Sequence, residues 1–143
     1  MRIVQTVETL CKEHDTRNPF ELAKQLNINV TFEPLGSVRG FYARSFRHRV
    51  IHINVDLHEQ QQLFTCAHEL GHAIMHPNLN TLFLKTNTFF HVNKFETDAN
   101  RFAVHMLYHD DFFKEMKDFT IHQVAACLNL PVSLVEYRLR SIK

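Results

Sequence analysis

Residues 68–72 read His68-Glu69-Leu70-Gly71-His72, two histidines four apart with a glutamate beside the first. The surrounding run from Phe64 to Met75 has helical character. Residues four apart share one face of a helix, so both imidazoles can point at one metal ion while Glu69 projects into the same cleft. Neutral imidazoles suit Zn²⁺. A carboxylate beside them is placed to take a proton from an activated water. The pattern moves the expectation from a small soluble domain to a metallohydrolase.

Three fixed positions in five residues also arise by chance, and 11 histidines in 143 residues raise that chance. A further ligand at the right place decides between a metal site and an amphipathic helix with surface histidines. The run Lys94 to Leu107 supplies one. Phe95, Ala99, Phe102, Ala103 and Met106 form an apolar stripe at helical spacing. Glu96 and Asn100 share another side, continued by Ala103, where small residues permit close packing on the first helix. Glu96 is the expected third ligand, and Asn100 can hydrogen-bond a ligand imidazole. Asp98 is the rival, but it points about 160–200° around the helix from Glu96 and Asn100. A solvated carboxylate is the ordinary state of a helical glutamate, so Glu96 depends on how the two helices meet.

Together, His68-Glu69-Leu70-Gly71-His72 and Glu96-Thr97-Asp98-Ala99-Asn100-Arg101-Phe102-Ala103 resemble the ImmA/IrrE family of metallopeptidases, which pairs an HExxH helix with E-x-x-A-N-x-F-A. Leu79-Asn80-Thr81-Leu82-Phe83, Thr88-Phe89-Phe90 and Ile51-His52-Ile53-Asn54 are similar to its short mobile-element members. The likeness covers roughly residues 15–108 and is more specific than HExxH alone. It implies zinc ligands at His68, His72 and Glu96, with Glu69 as general base. Many members continue to Leu-Leu-Met-Pro where this chain has Met106-Leu107-Tyr108-His109. That departure touches the edge of the cleft and leaves the ligands intact.

The remaining composition narrows the alternatives. A length of 143 residues fits one metallopeptidase domain over 1–143, with a C-terminal helical subregion at 118–143. The net charge of +1 gives no overall signal for nucleic acid. Arg39, Arg44, Arg47, His48 and Arg49 form a local basic stretch, read as a solvated hairpin rim. Cys11, Cys66 and Cys127 are widely spaced and odd in number, which points to reduced thiols and a cytoplasmic location. Cys66 lies two residues before His68 and is expected as a small buried hydrophobe facing away from the metal. No stretch approaches the ~18 apolar residues of a membrane span, so no membrane partner is expected.

Helical spacing of Ile3, Val4, Val7, Leu10 and Cys11 predicts a first helix over about residues 2–14. Asn18-Pro19 signals the start of a second. Asn27 to Glu33 alternates as a strand. Gly40–Phe46 and Arg49–Val55 read as a hairpin, with Phe41, Ala43, Val50, Ile51, Ile53 and Val55 as its apolar positions. Asp56 is a candidate cap for the HExxH helix or a turn leading into it. In the long connection 77–94, Leu82, Phe83, Leu84, Phe89 and Phe90 are available to cover the cleft or to close the core beneath it. Residues 120–128 and 131–140 read as two helices around Asn129-Leu130, a helix-turn-helix-like fragment. DNA contact through Arg138, Arg140 and Lys143 is one reading. Packing on the catalytic core or a partner is preferred, because polar readout side chains are few.

The expected fold is therefore α+β and zincin-like. A small antiparallel sheet packs on the HExxH helix and the Glu96 helix, followed by the C-terminal helical hairpin. The expected chemistry is peptide hydrolysis, with Zn²⁺ between His68, His72 and Glu96 and with Glu69 as base. Substrate backbone is expected to pair with the sheet edge. Tyr42, His52, His76, His91 and Tyr108 are all open as oxyanion-stabilising residues. The resemblance further implies that the substrate is a helix-turn-helix repressor and that cleavage derepresses a prophage or mobile element. The rival is a non-catalytic regulator that binds a repressor or DNA through its C-terminal helices and keeps a structural zinc. Such a site would need a closing ligand, for which His76 and His91 are the candidates. A toxin–antitoxin or stress-regulator role on the same fold is a further alternative.

Overall fold

Asn18 and Pro19 act as the sequence predicts. The Asn18 carboxamide accepts from the backbone N–H groups of Phe20 and Glu21, and Pro19 opens the helix where its missing N–H costs nothing. The computed structural model describes residues 2–81 and 92–142. Helix α1 spans Arg2–His14 and α2 spans Pro19–Gln25. Strands β1 (Asn29–Glu33), β2 (Gly40–Ser45) and β3 (His48–Asn54) follow, then helix α3 (Glu59–Met75). Beyond residues 82–91 come α4 (Val92–Leu107), α5 (Asp110–Glu115), α6 (Ile121–Leu128) and α7 (Val132–Arg140). The expected strand at Asn27 begins two residues later because Asn27 turns the backbone at φ 60°.

The sheet departs from the expected antiparallel arrangement. Its order is β1-β3-β2, with β2 antiparallel to β3 but β1 parallel to β3. The cause lies in residues 34–39, which are too many for a tight hairpin and begin with Pro34. They carry the chain past the place where β3 inserts between the first two strands. Asn54, at the end of β3, pins this crossing, its side-chain N–H₂ donating to the carbonyls of Gly36 and Val38, each at 3.0 Å.

The helices cover one face of the sheet. Ile51 and Ile53 point into the core, and so does Tyr42, all three fully buried. Phe41 and Ala43 are only half-buried on the opposite face, so the inward set of β2 is Gly40 and Tyr42. Gly40 explains the choice. A Cβ there would lie 2.6 Å from both the His52 carbonyl oxygen and Thr65 Cγ2, so only glycine lets β2 come this close to α3. Phe41 instead stacks on His52 at 4.3 Å on the outer face.

Helix α3 is buried continuously from Thr65 to Ala73, on all sides rather than along one stripe. Its cap is His58, with Gln61 reaching back to the His58 backbone N–H, and not Asp56. Asp56 lies in the preceding turn, where its N–H donates to the Asn54 side chain.

A second apolar cluster, around Phe113, Val124, Leu128 and Val135, holds the C-terminal helices. Asn129 in the left-handed region, φ 55°, turns the chain between α6 and α7. Arg138 is buried inside this unit. Its guanidinium pairs with Asp110 at 2.7 Å, donates to the Tyr108 carbonyl at 2.7 Å and lies over the Phe113 ring. Arg138 is therefore withdrawn from the DNA contact considered for it, whereas Arg140 is exposed.

His105 couples α4 to α7 through a 2.8 Å hydrogen bond with the Tyr137 hydroxyl, while Arg101 covers the Tyr137 ring. Burial, reinforced by the charge of Arg138, pushes the His105 pKa down to about 4. Its folded pKa thus lies below the unfolded value, so the unfolded chain takes up this proton first as pH falls. The contribution to stability is complete above about pH 6.5 and disappears toward pH 4, at up to ~1.4 kcal/mol per pH unit. Urea unfolding at neutral and mildly acidic pH should show this slope, and His105→Gln should flatten it. A variant with an undiminished slope would assign the acid sensitivity to other groups.

Candidate metal centre

The pairing of α3 with α4 builds the site. A Cβ on Gly71 would sit 3.0 Å from Cβ and Cγ of Phe102, a fully buried residue with little room to yield. Glycine at 71, with Ala99 and Ala103 buried on α4, lets the two helices touch closely. Glu96 on the first turns of α4 then reaches the histidines of α3. Its Oε1 lies 2.7 Å from His72 Nε2 and 3.3 Å from His68 Nε2. One ligand atom from each of His68, His72 and Glu96 falls within 4.8 Å of the others, a group able to hold a metal ion.

The outer ring nitrogens are also held. His68 Nδ1 donates to the Asn100 side-chain oxygen at 2.8 Å, which leaves Nε2 as the lone-pair nitrogen facing Glu96. His72 Nδ1 lies 3.0 Å from His76 Nδ1. With His72 as donor, His76 accepts at Nδ1 and turns its Nε2–H toward Asp98, 3.9 Å away. Asp98 therefore belongs to a supporting row behind His72, as its angle on the helix predicts, and not to the cluster. The donor set fits a divalent ion well: two oriented imidazoles and one carboxylate converge, each imidazole with its far nitrogen hydrogen-bonded.

Electrostatics agree with that chemistry. Burial pushes the His72 pKa below the usual histidine range, against the opposing pull of the Glu96 carboxylate. Burial lowers His76 as well, with the charge of His72 next in importance. Both rings are kept in the neutral form that can donate a lone pair. The Cys66 thiol, fully buried, is pushed strongly upward by desolvation, so it acts as the small hydrophobe expected.

Glu69 is almost completely buried beside the cluster, with Oε2 3.8 Å from His68 Nε2. Its Oε1 accepts a 2.9 Å hydrogen bond from the Thr81 hydroxyl. Thr81, itself fully buried, also accepts the backbone N–H of Tyr42 on β2. Sequence reasoning missed Thr81, because nothing local marks a threonine that bridges a strand edge to a helix 12 residues away. The Glu96 side chain, 29% exposed, is the open side of the site.

The other expected participants lie elsewhere. The Tyr42 hydroxyl donates to the Pro77 carbonyl within the core side of β2. His52 is on the outer sheet face with Glu33 and Thr31. Tyr108 accepts from Gln60 at 3.2 Å. His76 supports His72 from behind. His91 and the apolar group Leu82, Phe83, Leu84, Phe89 and Phe90 lie outside the described residues. Among the described residues the cluster contains His68, His72 and Glu96 without a further histidine or acid.

Fold and cluster together define a small α+β domain that gathers side chains able to hold a metal ion between two helices. The chain belongs to the Peptidase_M78 family, the IrrE N-terminal-like domain, whose model matches residues 23–140. It is similar to "Uncharacterized immunity region protein 2" of Bacillus phage phi105, 40% identical over 139 residues, covering 95% of this chain and 88% of that protein. It is also similar to "Metallopeptidase ImmA" of Bacillus subtilis (strain 168), 31% identical over 146 residues, covering 98% of this chain and 85% of that one.

Metal loading discriminates the roles drawn from this geometry. His72→Ala and Glu96→Ala should each weaken zinc binding by more than the roughly 10–100-fold that a supporting residue costs, and Asn100→Ala should fall within that window. Asp98→Ala should leave zinc content near that of the unaltered chain. Equilibrium dialysis with elemental analysis reads all four, and full zinc retention in Glu96→Ala would remove Glu96 from the ligand set.

Proposed function

We propose that this chain is a zinc-dependent peptidase in which His68, His72 and Glu96 hold the metal and Glu69 is the general base. The observation that carries the reading is the convergence of three ligand atoms within 4.8 Å beside a buried carboxylate that is not itself one of them. Family membership and the metallopeptidase among its relatives support it. Helix α3 lying against edge strand β2 supports a zincin-like arrangement.

When bound, Zn²⁺ supplies Lewis-acid polarisation of water and of the scissile carbonyl. The residues do the rest. The Thr81 hydroxyl donates to Glu69 Oε1, fixing the carboxylate and leaving Oε2 toward the cluster as the oxygen that receives a proton. Glu69 takes that proton from the attacking water as the new C–O bond forms. It returns the proton to the amine as the C–N bond breaks. Asn100 and His76 keep the ligand rings oriented throughout. Thr81 occupies the Tyr42 backbone on the β2 edge, so a substrate strand pairing there does so at Gly40 or displaces Thr81.

The substrate we assign is a helix-turn-helix repressor, cleaved to derepress a prophage or mobile element. The immunity-region and ImmA names of the two relatives support this choice. Residues 118–143 act as a helical subregion of the one domain, and their reading as a module that packs and recruits rather than reads DNA is favoured by the burial of Arg138. A cytoplasmic location fits three free cysteines. No helix among the described residues is long and apolar enough to cross a membrane.

The test is incubation with helix-turn-helix repressors from the genome that encodes this chain, with and without chelator. Glu69→Gln should keep fold and zinc content, while cleavage falls by about 10²–10⁴, the usual loss for a general base. Undiminished cleavage by the Gln variant would refute the hydrolytic mechanism and favour a binding regulator.

A further inference from the structure

A cavity of about 800 Å³ lies between the first half of α3 and the C-terminal helices. That is within the range of ligand clefts, about 300–1,000 Å³. One wall is apolar, built by Leu128, Val132 and Leu134 from α6 and α7, and Phe64 faces it from α3. Arg39, His58 and His122 line it with cationic or N–H-bearing groups, and its described lining contains no carboxylate. Asn100, the residue that holds His68 Nδ1 at 2.8 Å, also lines it. The cavity and the candidate metal centre thus share one side chain.

We propose that this cleft docks a segment of the substrate protein that combines carboxylates with aliphatic side chains, outside the bond that is cut. The inference extends the site of the proposed peptidase and rests on that reading. Charge complementarity selects the occupant. An acidic segment meets Arg39 and the imidazole N–H donors without meeting a carboxylate, while its aliphatic residues cover the wall formed by Leu128, Val132 and Leu134. Nucleic acid fits poorly, because phosphate binding needs several cations and this lining offers a single arginine. The arrangement also gives the C-terminal helices a role. They form the wall that selects substrate, and Asn100 is the side chain this cleft shares with the candidate metal centre.

The test uses the full chain carrying Glu69→Gln, so that binding is measured without cleavage. The probes are a short fluorescein-labelled peptide of glutamate and leucine, its counterpart with lysine for glutamate, and a short DNA duplex, read by anisotropy at physiological salt. The acidic peptide should bind saturably, and the lysine peptide at least about tenfold more weakly. Arg39→Glu and Ala126→Glu, both at exposed lining positions, should each weaken the acidic peptide by at least about tenfold. No saturable binding, equal binding of both peptides, indifference to both substitutions, or tighter binding of the duplex would each overturn the proposal. Cleavage by the unaltered chain is assayed separately. Binding as described with no cleavage of any protein sinks the peptidase reading alone, whereas cleavage without such binding sinks the cleft alone.

Discussion

Helices α3 and α4 bring Glu96 to two histidines at a spacing that depends on position 71 carrying no side chain. The Phe102 ring fills the space where a Cβ would stand, and Phe102 is itself locked in the core. On the other side of α3, Gly40 permits the same intimacy with β2. A single helix is thus squeezed between a strand and a second helix, buried all round from Thr65 to Ala73. Interiors packed this tightly transmit small changes in volume. The site inherits its geometry from that squeeze, since Glu96, Asn100 and Thr81 all reach α3 from elements pressed against it.

Burying a carboxylate and several imidazoles together is costly unless each is hydrogen-bonded or neutralised. Here the cost is distributed outward. Asn100 holds His68, His76 and then Asp98 stand behind His72, and Thr81 holds Glu69. Each of these partners fixes one atom and frees the next for chemistry. Oriented rings and an oriented carboxylate are the state a cation would stabilise further, so metal binding as proposed would reinforce folding.

Much of the site could be read from the chain because its information is local. The two histidines, their glutamate and the spacing that separates Glu96 from Asp98 around a helix all follow from a 3.6-residue period. Helices α1 and α2, with the Asn18-Pro19 start, are legible for the same reason. The failures share the opposite cause. Strand order depends on where a six-residue crossing leads, and parallel pairing of β1 with β3 has no local signature. Tyr42 faces inward and Phe41 outward because Gly40 must meet Thr65, a contact 25 residues distant. Arg138 looks like a solvent-facing helix cation until Asp110 and the Tyr108 carbonyl claim it. Thr81 is invisible for the same reason, its partners lying on β2 and α3.

The central claim is that a metal ion sits between α3 and α4 on His68, His72 and Glu96, with Glu69 close by and uncoordinated. Anomalous diffraction at the zinc edge from crystals of the zinc-loaded chain tests it directly. The account predicts one strong peak at coordination distance from His68 Nε2, His72 Nε2 and a Glu96 carboxylate oxygen, with one position free of protein ligands. A peak elsewhere, or one closed by a further protein side chain such as His76, would contradict it.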